Sequence, residues 1–321
     1  MNEGGRLPVI SVLSSVYNET LGEIRESLDS ILSQSYTDFE LIVVLDRPDY
    51  AEGLALLQEY AAKDPRVKVL VNEKNIGLAL SMNYAAENAK GEYYLRMDAD
   101  DVCYPGRFQL QIDAIQGSDY DLICGNYDFM DENGELLPQK PALYTDRQMA
   151  ALLPYRNIIH HPTVIMKAKA FWEAGAYRNY PCSQDYDLWL RMKCNGCKMH
   201  MMPEKLIKYR VRLASTTVRK RYMQACTIEY IRKLYEQKNN MAGYSYEGYL
   251  AYLEKRGVNE PGSNEDFVKN SQRYMELKRK IKKGRLLSAT GDFFRVMFQS
   301  KYYRPHILRS VKIALVMKFA K

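Results

Sequence analysis

Long apolar runs are missing from this chain of 321 residues. No stretch approaches the ~18 consecutive apolar residues that identify a membrane-spanning helix. The amino terminus, MNEGGRLPVISVL, lacks the basic region and long apolar stretch of a secretory leader. Both absences predict a protein that stays in the cytoplasm. Cysteine is sparse as well. Cys103, Cys124, Cys182, Cys194, Cys197 and Cys226 lack the density of a disulfide-stapled secreted domain. Cys194 and Cys197 form a lone CxxC, and two thiols do not complete a tetrahedral zinc site. All six read as reduced thiols. There is no internal repeat, no low-complexity tract and no Gly-rich, Lys-containing phosphate loop of the kind a nucleotidyltransferase would carry. Basic residues are dispersed without a nucleic-acid motif, which argues against a nucleic-acid partner.

What is present describes an ordinary globular protein: 46% hydrophobic and 26% charged residues. The formal net charge of +7 fits an anionic partner, whether nucleotide, phospholipid surface or nucleic acid, without choosing among them. From Pro8 to Gly125 short apolar runs alternate with amphipathic stretches. Strands are expected at Val9–Leu13, Phe39–Leu45, Val67–Val71 and Tyr93–Met97. Helices are expected at Glu19–Ser33, Gly53–Ala62 and Leu78–Ala89, the last closed by Gly91. The alternation predicts an α/β fold with a mostly parallel sheet covered by helices. Ligands of such sheets bind beyond the carboxyl ends of the strands. Polar clusters fall there: Tyr17-Asn18-Glu19, Asp46-Arg47 and Asp98-Ala99-Asp100-Asp101. Residues 126–210 read as short strands and loops with helices near Lys167–Ala174 and Asp185–Lys193. Beyond Arg219 the chain reads as mainly helical and basic.

The strongest chemical signal is Arg96-Met97-Asp98-Ala99-Asp100-Asp101 at a strand end. In an extended chain residues i and i+2 share a side, so Asp98 and Asp100 would converge on one hard cation such as Mn²⁺ or Mg²⁺. The plainer reading is an acidic turn capping a helix. Asp185, in Ser183-Gln184-Asp185-Tyr186-Asp187-Leu188-Trp189-Leu190-Arg191, is open in the same way. It is either a charge at a helix start or a general base.

These blocks, taken in order, resemble glycosyltransferase family 2. Val9 to Glu19 looks like the family's opening strand and nucleotide-contact turn. Ser30 to Asp46 is similar to its SILxQ…FELIVVxD block. Asn75-Ile76-Gly77, Asn83 and Gly91 to Asp101, with Pro105 and Arg107 following, match the approach to its metal motif. The likeness covers residues 8 to 215 and implies a GT-A fold. It implies nucleotide-sugar contacts at Ser15, Tyr17, Glu19, Asp46, Asn75, Asp98, Ala99 and Asp100, with Mn²⁺ or Mg²⁺ on Asp98 and Asp100. It also implies a catalytic base at Asp185 and an acceptor side shaped by His161, Gln184, Arg210 and Arg212, with His160 in the same loop. The expected division is a catalytic domain at 1–218, its nucleotide half at 8–125 and its acceptor half at 126–218, then a helical basic region at 219–321.

Three departures stand out. Leu45-Asp46 replaces a double Asp, Gln184 stands where Glu is common, and Arg212 stands where many members carry His. An arginine does not ligate a metal but holds a phosphate well. The resemblance implies an inverting transfer from a nucleotide sugar, UDP-sugar favoured, to a saccharide or lipid-linked saccharide in cell-surface polysaccharide synthesis. A non-catalytic nucleotide-sugar-binding protein of the same fold is the alternative. Between Thr290 and Lys321, seven basic residues face one acid, Asp292. That stretch reads either as an interfacial helix on the inner face of an anionic membrane or as an appendage packing on the catalytic domain or a second subunit of a homodimer.

Overall fold

The computed structural model describes residues 9–211, 220–237, 239 and 241–282. Arg212 and the stretch Thr290–Lys321 lie outside the described residues. The chain divides into two units, residues 1–150 with 157–212, and residues 151–156 with 213–321.

The first unit opens as the sequence pattern dictates. Strands β1 (Ile10–Val16), β2 (Phe39–Leu45), β3 (Val67–Val71) and β4 (Tyr93–Arg96) pair in parallel in the order β3-β2-β1-β4. Most of their apolar side chains are shielded on both faces, which is why β2 reads as a continuous apolar run from Leu41 to Leu45. Helices α1 (Leu21–Leu32), α2 (Ala51–Lys63) and α3 (Leu78–Glu87) connect them. α1 starts at Thr20, whose hydroxyl accepts the Glu23 N–H at 3.3 Å while the Glu23 carboxylate accepts the Thr20 N–H at 2.7 Å. This reciprocal cap sets the helix start one residue after the cap and two after Glu19. Ile24, Leu28 and Ile31 then fall on the buried face.

The second half departs from the expected short strands. After β5 (Val102–Cys103) and α4 (Arg107–Gln116) come β6 (Leu122–Met130), β7 (Leu136–Leu137), α5 (Asp146–Leu152), β8 (Ile165–Lys167), α6 (Ala168–Glu173), α7 (Gln184–Cys194) and β9 (Met199–Arg210). β8 joins antiparallel to β4, and the sheet continues β8-β6-β9-β5. β6 and β9 run parallel over nine and twelve residues. Pro203 in β9 obscures the second of these strands, because proline cannot donate to a ladder. It is accommodated at an irregularity where the pairing jumps from Cys124–Met201 to Asn126–Lys205. The Asn126 amide donates to the carbonyls of Met202 at 3.1 Å and Pro203 at 3.2 Å, filling the gap. The parallel sheet thus forms the first half, and strands of mixed direction complete the α/β layer.

The second unit contributes α8 (Arg221–Glu236), α9 (Tyr246–Lys255) and α10 (Ser263–Lys282), with α9 and α10 packed on α8. The Tyr222 hydroxyl donates to the Arg256 carbonyl at 2.7 Å, and Thr227 and Tyr249 share a buried hydrogen bond at 2.8 Å. Among the described residues no helix is long and apolar enough to cross a membrane. None of the six cysteines, all among the described residues, forms a disulfide.

Gly91 has a different task from closing α3, which ends at Glu87 and is capped by Asn88. Its N–H donates to the Ser11 hydroxyl at 2.8 Å, and a Cβ there would lie 2.5 Å from the Ser11 backbone nitrogen. Glycine is needed for close approach to β1. Gly91→Ala is expected to lower the unfolding free energy by about 1–3 kcal/mol, read as an earlier urea midpoint. A variant as stable as the parent would show that this approach is not tight.

Candidate active site

Parallel pairing puts the ends of β1 to β4 along one edge, and the polar loops follow there. After β2, Asp46 is 3% exposed, and its carboxylate accepts the Asn72 amide at 2.8 Å and the N–H groups of Ile76 at 2.8 Å and Gly77 at 2.9 Å. It fixes the loop that carries the exposed Asn75 and leads into α3 at Gly77, whose φ of +84° suits glycine. After β1, the Glu19 carboxylate accepts the N–H groups of Tyr17 at 2.6 Å and Asn18 at 3.1 Å and so folds its own turn. That turn leaves the Tyr17 ring 43% exposed beyond Ser15. The Arg47 guanidinium reaches Asn18 at 3.1 Å and the Tyr50 hydroxyl reaches the Glu19 carbonyl at 3.0 Å, tying the first two loops together.

After β4 the chain does not stay extended. Asp98 to Asp101 form a turn in which the Asp101 N–H donates to the Asp98 carbonyl at 3.3 Å. The same-side argument for Asp98 and Asp100 therefore does not hold, because it needs strand geometry. Their charges still share one small region. Asp101 is fully buried, and burial, then the charges of Asp98 and Asp100, push its carboxyl well above the usual carboxylate range. One Asp101 oxygen accepts the Arg210 N–H at 2.9 Å, and the other is buried without a partner.

Three guanidinium groups surround this turn. Arg96 is paired with Asp98 and also donates to the Met97 carbonyl. The Arg107 guanidinium donates to the carbonyls of Arg96 at 3.0 Å and Pro162 at 2.8 Å. The Arg210 Nε donates to the Asp100 carbonyl at 2.9 Å, and its Nη2 pairs with Glu26 of α1. Arg210, expected on the acceptor side, is thus a clamp on the acidic turn. Asp98, with 29% of its side chain exposed, and Asp100 remain at the surface of the turn, and Ala99 between them is buried.

The second carboxylate centre is Asp185. Ser183, at φ +60°, turns the chain into α7. The Asp185 carboxylate accepts the Asn157 amide at 2.8 Å. Burial raises its pKa from the ordinary carboxylate value, the backbone N–H groups of Tyr186 and Asp185 and the Asn157 amide oppose the rise, and the Asp98 charge adds to it. Asp187, fully buried, pairs with Arg191 at 2.8 Å, and Arg191 donates to the carbonyls of Ala174 and Ala176, so the helix start is braced.

Gln184 is buried, and His161 is buried with its Nε2 2.7 Å from the Tyr177 hydroxyl, its ring edge-on to Trp189. The loop places His161 in the core and the adjacent His160 toward Asp98, whose charge acts on it. Asn157, Arg96 and Arg107 had no assigned role in the sequence. An Arg two residues before an Asp at a strand end was the signal available for the Arg96 pair.

Residues 11–175 match the model of the family described as Glycosyl transferase family 2, and the chain belongs to this family. It is a glycosyltransferase. It is 34% identical over 214 residues to the O-antigen biosynthesis glycosyltransferase WbnJ of Escherichia coli, covering 65% of this chain and 82% of that protein. It is 31% identical over 216 residues to the amylovoran biosynthesis glycosyltransferase AmsE of Erwinia amylovora, covering 66% of this chain and 79% of that protein. In structure it is similar to S. aureus TarS 1-349 in complex with UDP, with a TM-score of 0.58 and 19% identity over 90% of this chain and 81% of that chain. The fold is that of the GT-A glycosyltransferases.

The hydrogen bonds to Asp46 give a direct test. Asp46→Asn brings an NH₂ group against converging N–H donors and is expected to cost about 1–3 kcal/mol of stability. Thermal unfolding and limited proteolysis within residues 72–78 would read the loss. Unchanged proteolysis there would refute the anchoring role.

Proposed function

We propose that the protein transfers a sugar from a nucleoside-diphosphate sugar, UDP-sugar favoured, to an acceptor hydroxyl with inversion. The observation that carries this reading is the pairing of two carboxylate centres in one field. Asp185, held by Asn157, feels the charge of Asp98 in the acidic turn. The 157–161 segment runs from one centre to the other. Two acidic centres in separate roles suit a base on one side of the reacting carbon and a diphosphate on the other.

In this mechanism Asp185 takes the proton of the acceptor hydroxyl while that oxygen forms a bond to the anomeric carbon. The bond from that carbon to the diphosphate oxygen breaks on the opposite face, and the nucleoside diphosphate leaves with the electron pair. Asp46 and the loops of Ser15, Tyr17, Glu19 and Asn75 form the nucleoside side. Asp98 and Asp100 offer hard oxygen donors suited to Mn²⁺ or Mg²⁺. Among the described residues no three His, Cys, Asp or Glu side chains are grouped to hold an ion, and a cation on Asp98 and Asp100 would take the rest of its shell from phosphate and water. Such a cation would neutralise charge on the leaving diphosphate.

The family membership and the UDP complex of the similar TarS structure support the donor class. Two relatives named for O-antigen and amylovoran biosynthesis support a saccharide or lipid-linked saccharide acceptor in cell-surface polysaccharide synthesis. A cytoplasmic enzyme held at the inner membrane face through its basic carboxy-terminal stretch belongs to the same proposal.

Calorimetry with UDP, GDP and dTDP, with and without Mn²⁺, tests the donor site. Binding of one nucleotide that depends on Mn²⁺ and is lost in Asp100→Ala is expected; no binding of any nucleotide would remove the donor reading. Asp185→Asn is expected to keep nucleotide-sugar affinity and lose turnover by ~10²-fold or more. The base must be ionised and its pKa is raised, so the wild-type rate should fall, as pH is lowered, at a higher pH than an unshifted carboxylate would give. An acid limb at the ordinary position, or a product with the donor's anomeric configuration, would refute the assignment.

A further inference from the structure

His160 holds an atom the mechanism above does not use. Its Nε2 is buried and has no hydrogen-bond partner. Such an atom is costly and uncommon, and within a site it calls for an occupant. The backbone around it is fixed: the His160 carbonyl accepts the Thr163 N–H at 3.0 Å and the Thr163 hydroxyl at 2.7 Å. The ring is fixed as well. It stacks on Tyr127 with centroids 4.0 Å apart and planes 23° apart, and meets Tyr209 edge-on at 4.6 Å. Phe129 extends the set, 5.4 Å from Tyr127 and 6.1 Å from Tyr209.

This group of rings neighbours the acidic turn, because Tyr209 precedes Arg210, which donates to Asp100 and Asp101. The Asp98 charge acts on both His160 and Tyr209, and Asp100 and Asp101 act on Tyr209. It also lies across the turn from the nucleoside loops, because Tyr127, Phe129 and Tyr209 belong to β6 and β9 whereas those loops follow β1 to β3. His160 stands three residues from Asn157, the partner of Asp185. Along the chain the rings thus adjoin both carboxylate centres, Tyr209 through its neighbour Arg210 on the acidic turn and His160 through the segment of Asn157.

We infer that Tyr127, Phe129, Tyr209 and His160 form the platform on which the acceptor saccharide rests, and that His160 Nε2 hydrogen-bonds one of its hydroxyls. Aromatic faces suit the apolar C–H surface of a sugar ring. Burial pulls the His160 pKa down to about 4, so at neutral pH the imidazole is uncharged and suited to a neutral hydroxyl. A site that hydrogen-bonds a hydroxyl discriminates against an analogue lacking it, since the buried nitrogen is then left unpaired. His160 is thereby a specificity-determining residue, an assignment that rests on the transferase reading above.

The test uses the full chain with UDP and Mg²⁺ and the methyl glycosides of glucose, galactose and N-acetylglucosamine with their monodeoxy analogues as probes. Saturation transfer from protein to sugar protons is followed by NMR, and UDP affinity is measured alongside. At least one glycoside is expected to receive saturation, and one deoxy analogue to bind about fivefold more weakly, the size of a single neutral hydrogen bond. In His160→Phe, which keeps a stacking ring, that discrimination is expected to vanish with UDP affinity unchanged. Tyr127→Leu is expected to weaken parent and deoxy glycoside alike. Discrimination that survives in His160→Phe overturns the proposal, as does UDP binding without saturation transfer to any glycoside. Loss of UDP binding in the wild type would overturn the donor reading and this inference with it.

Discussion

The acidic turn after β4 depends on three buried arginines. Arg96, Arg107 and Arg210 are each at most 5% exposed, and taking a guanidinium out of water costs several kcal/mol before its partners are counted. Each of them directs donors to the turn or to the strand leading to it. Arg96 pairs with Asp98, Arg107 donates to the Arg96 and Pro162 carbonyls, and Arg210 donates to Asp100 and pairs with Glu26. Three aspartates and three arginines thus occupy one neighbourhood. The arginines offset part of the repulsion among the carboxylates, which still raises the Asp101 pKa, and the backbone that bears them is tied to α1, β9 and the 161–163 turn. A diphosphate site needs such fixed charge, because groups already oriented need not reorganise when a ligand arrives.

The first half was largely legible because its physics is local. β2 buries apolar residues on both faces and shows it as the unbroken run Leu41 to Leu45, β1 buries its Ile, Val and Leu beside small serines, and the Thr20–Glu23 cap marks the start of α1 within four residues of sequence. Gly91 misled because a glycine after a helix has two common uses. Which one applies depends on Ser11, eighty residues away. The second half hid its two long strands because β6 and β9 owe their pairing to each other across 77 to 80 positions and are interrupted by Pro203 and the bulge at Asn126. No local pattern encodes a sheet order of β4-β8-β6-β9.

The site was legible as chemistry but less so as geometry. Asp98, Asp100 and Asp185 stand out through residue type and order along the chain. Their surroundings do not: the turn that replaces an extended Asp98–Asp100 depends on Arg210, more than a hundred residues away. His160 and His161 are adjacent and identical in type. One entered the core against Tyr177 and the other stacked on Tyr127, because a short 3₁₀ turn sends consecutive side chains to different sides. A periodicity argument has no purchase on three residues.

Gln184 gains its meaning from the electrostatics of its neighbour. The Asp185 pKa is raised first by burial and further by Asp98, while the Asn157 amide and the helix-start N–H groups of Tyr186 and Asp185 restrain it. A glutamate at position 184, where Glu is common among the proteins this chain resembles, would add a like charge beside Asp185 and raise it further. A base with too high a pKa is protonated at the pH where it must act, and one with too low a pKa removes a proton poorly. With a neutral, buried glutamine at 184, the balance falls to burial and Asp98 on one side and to Asn157 and the start of α7 on the other. The departure from the family pattern therefore leaves the proposed base intact and moves its control to the segment that also presents His160.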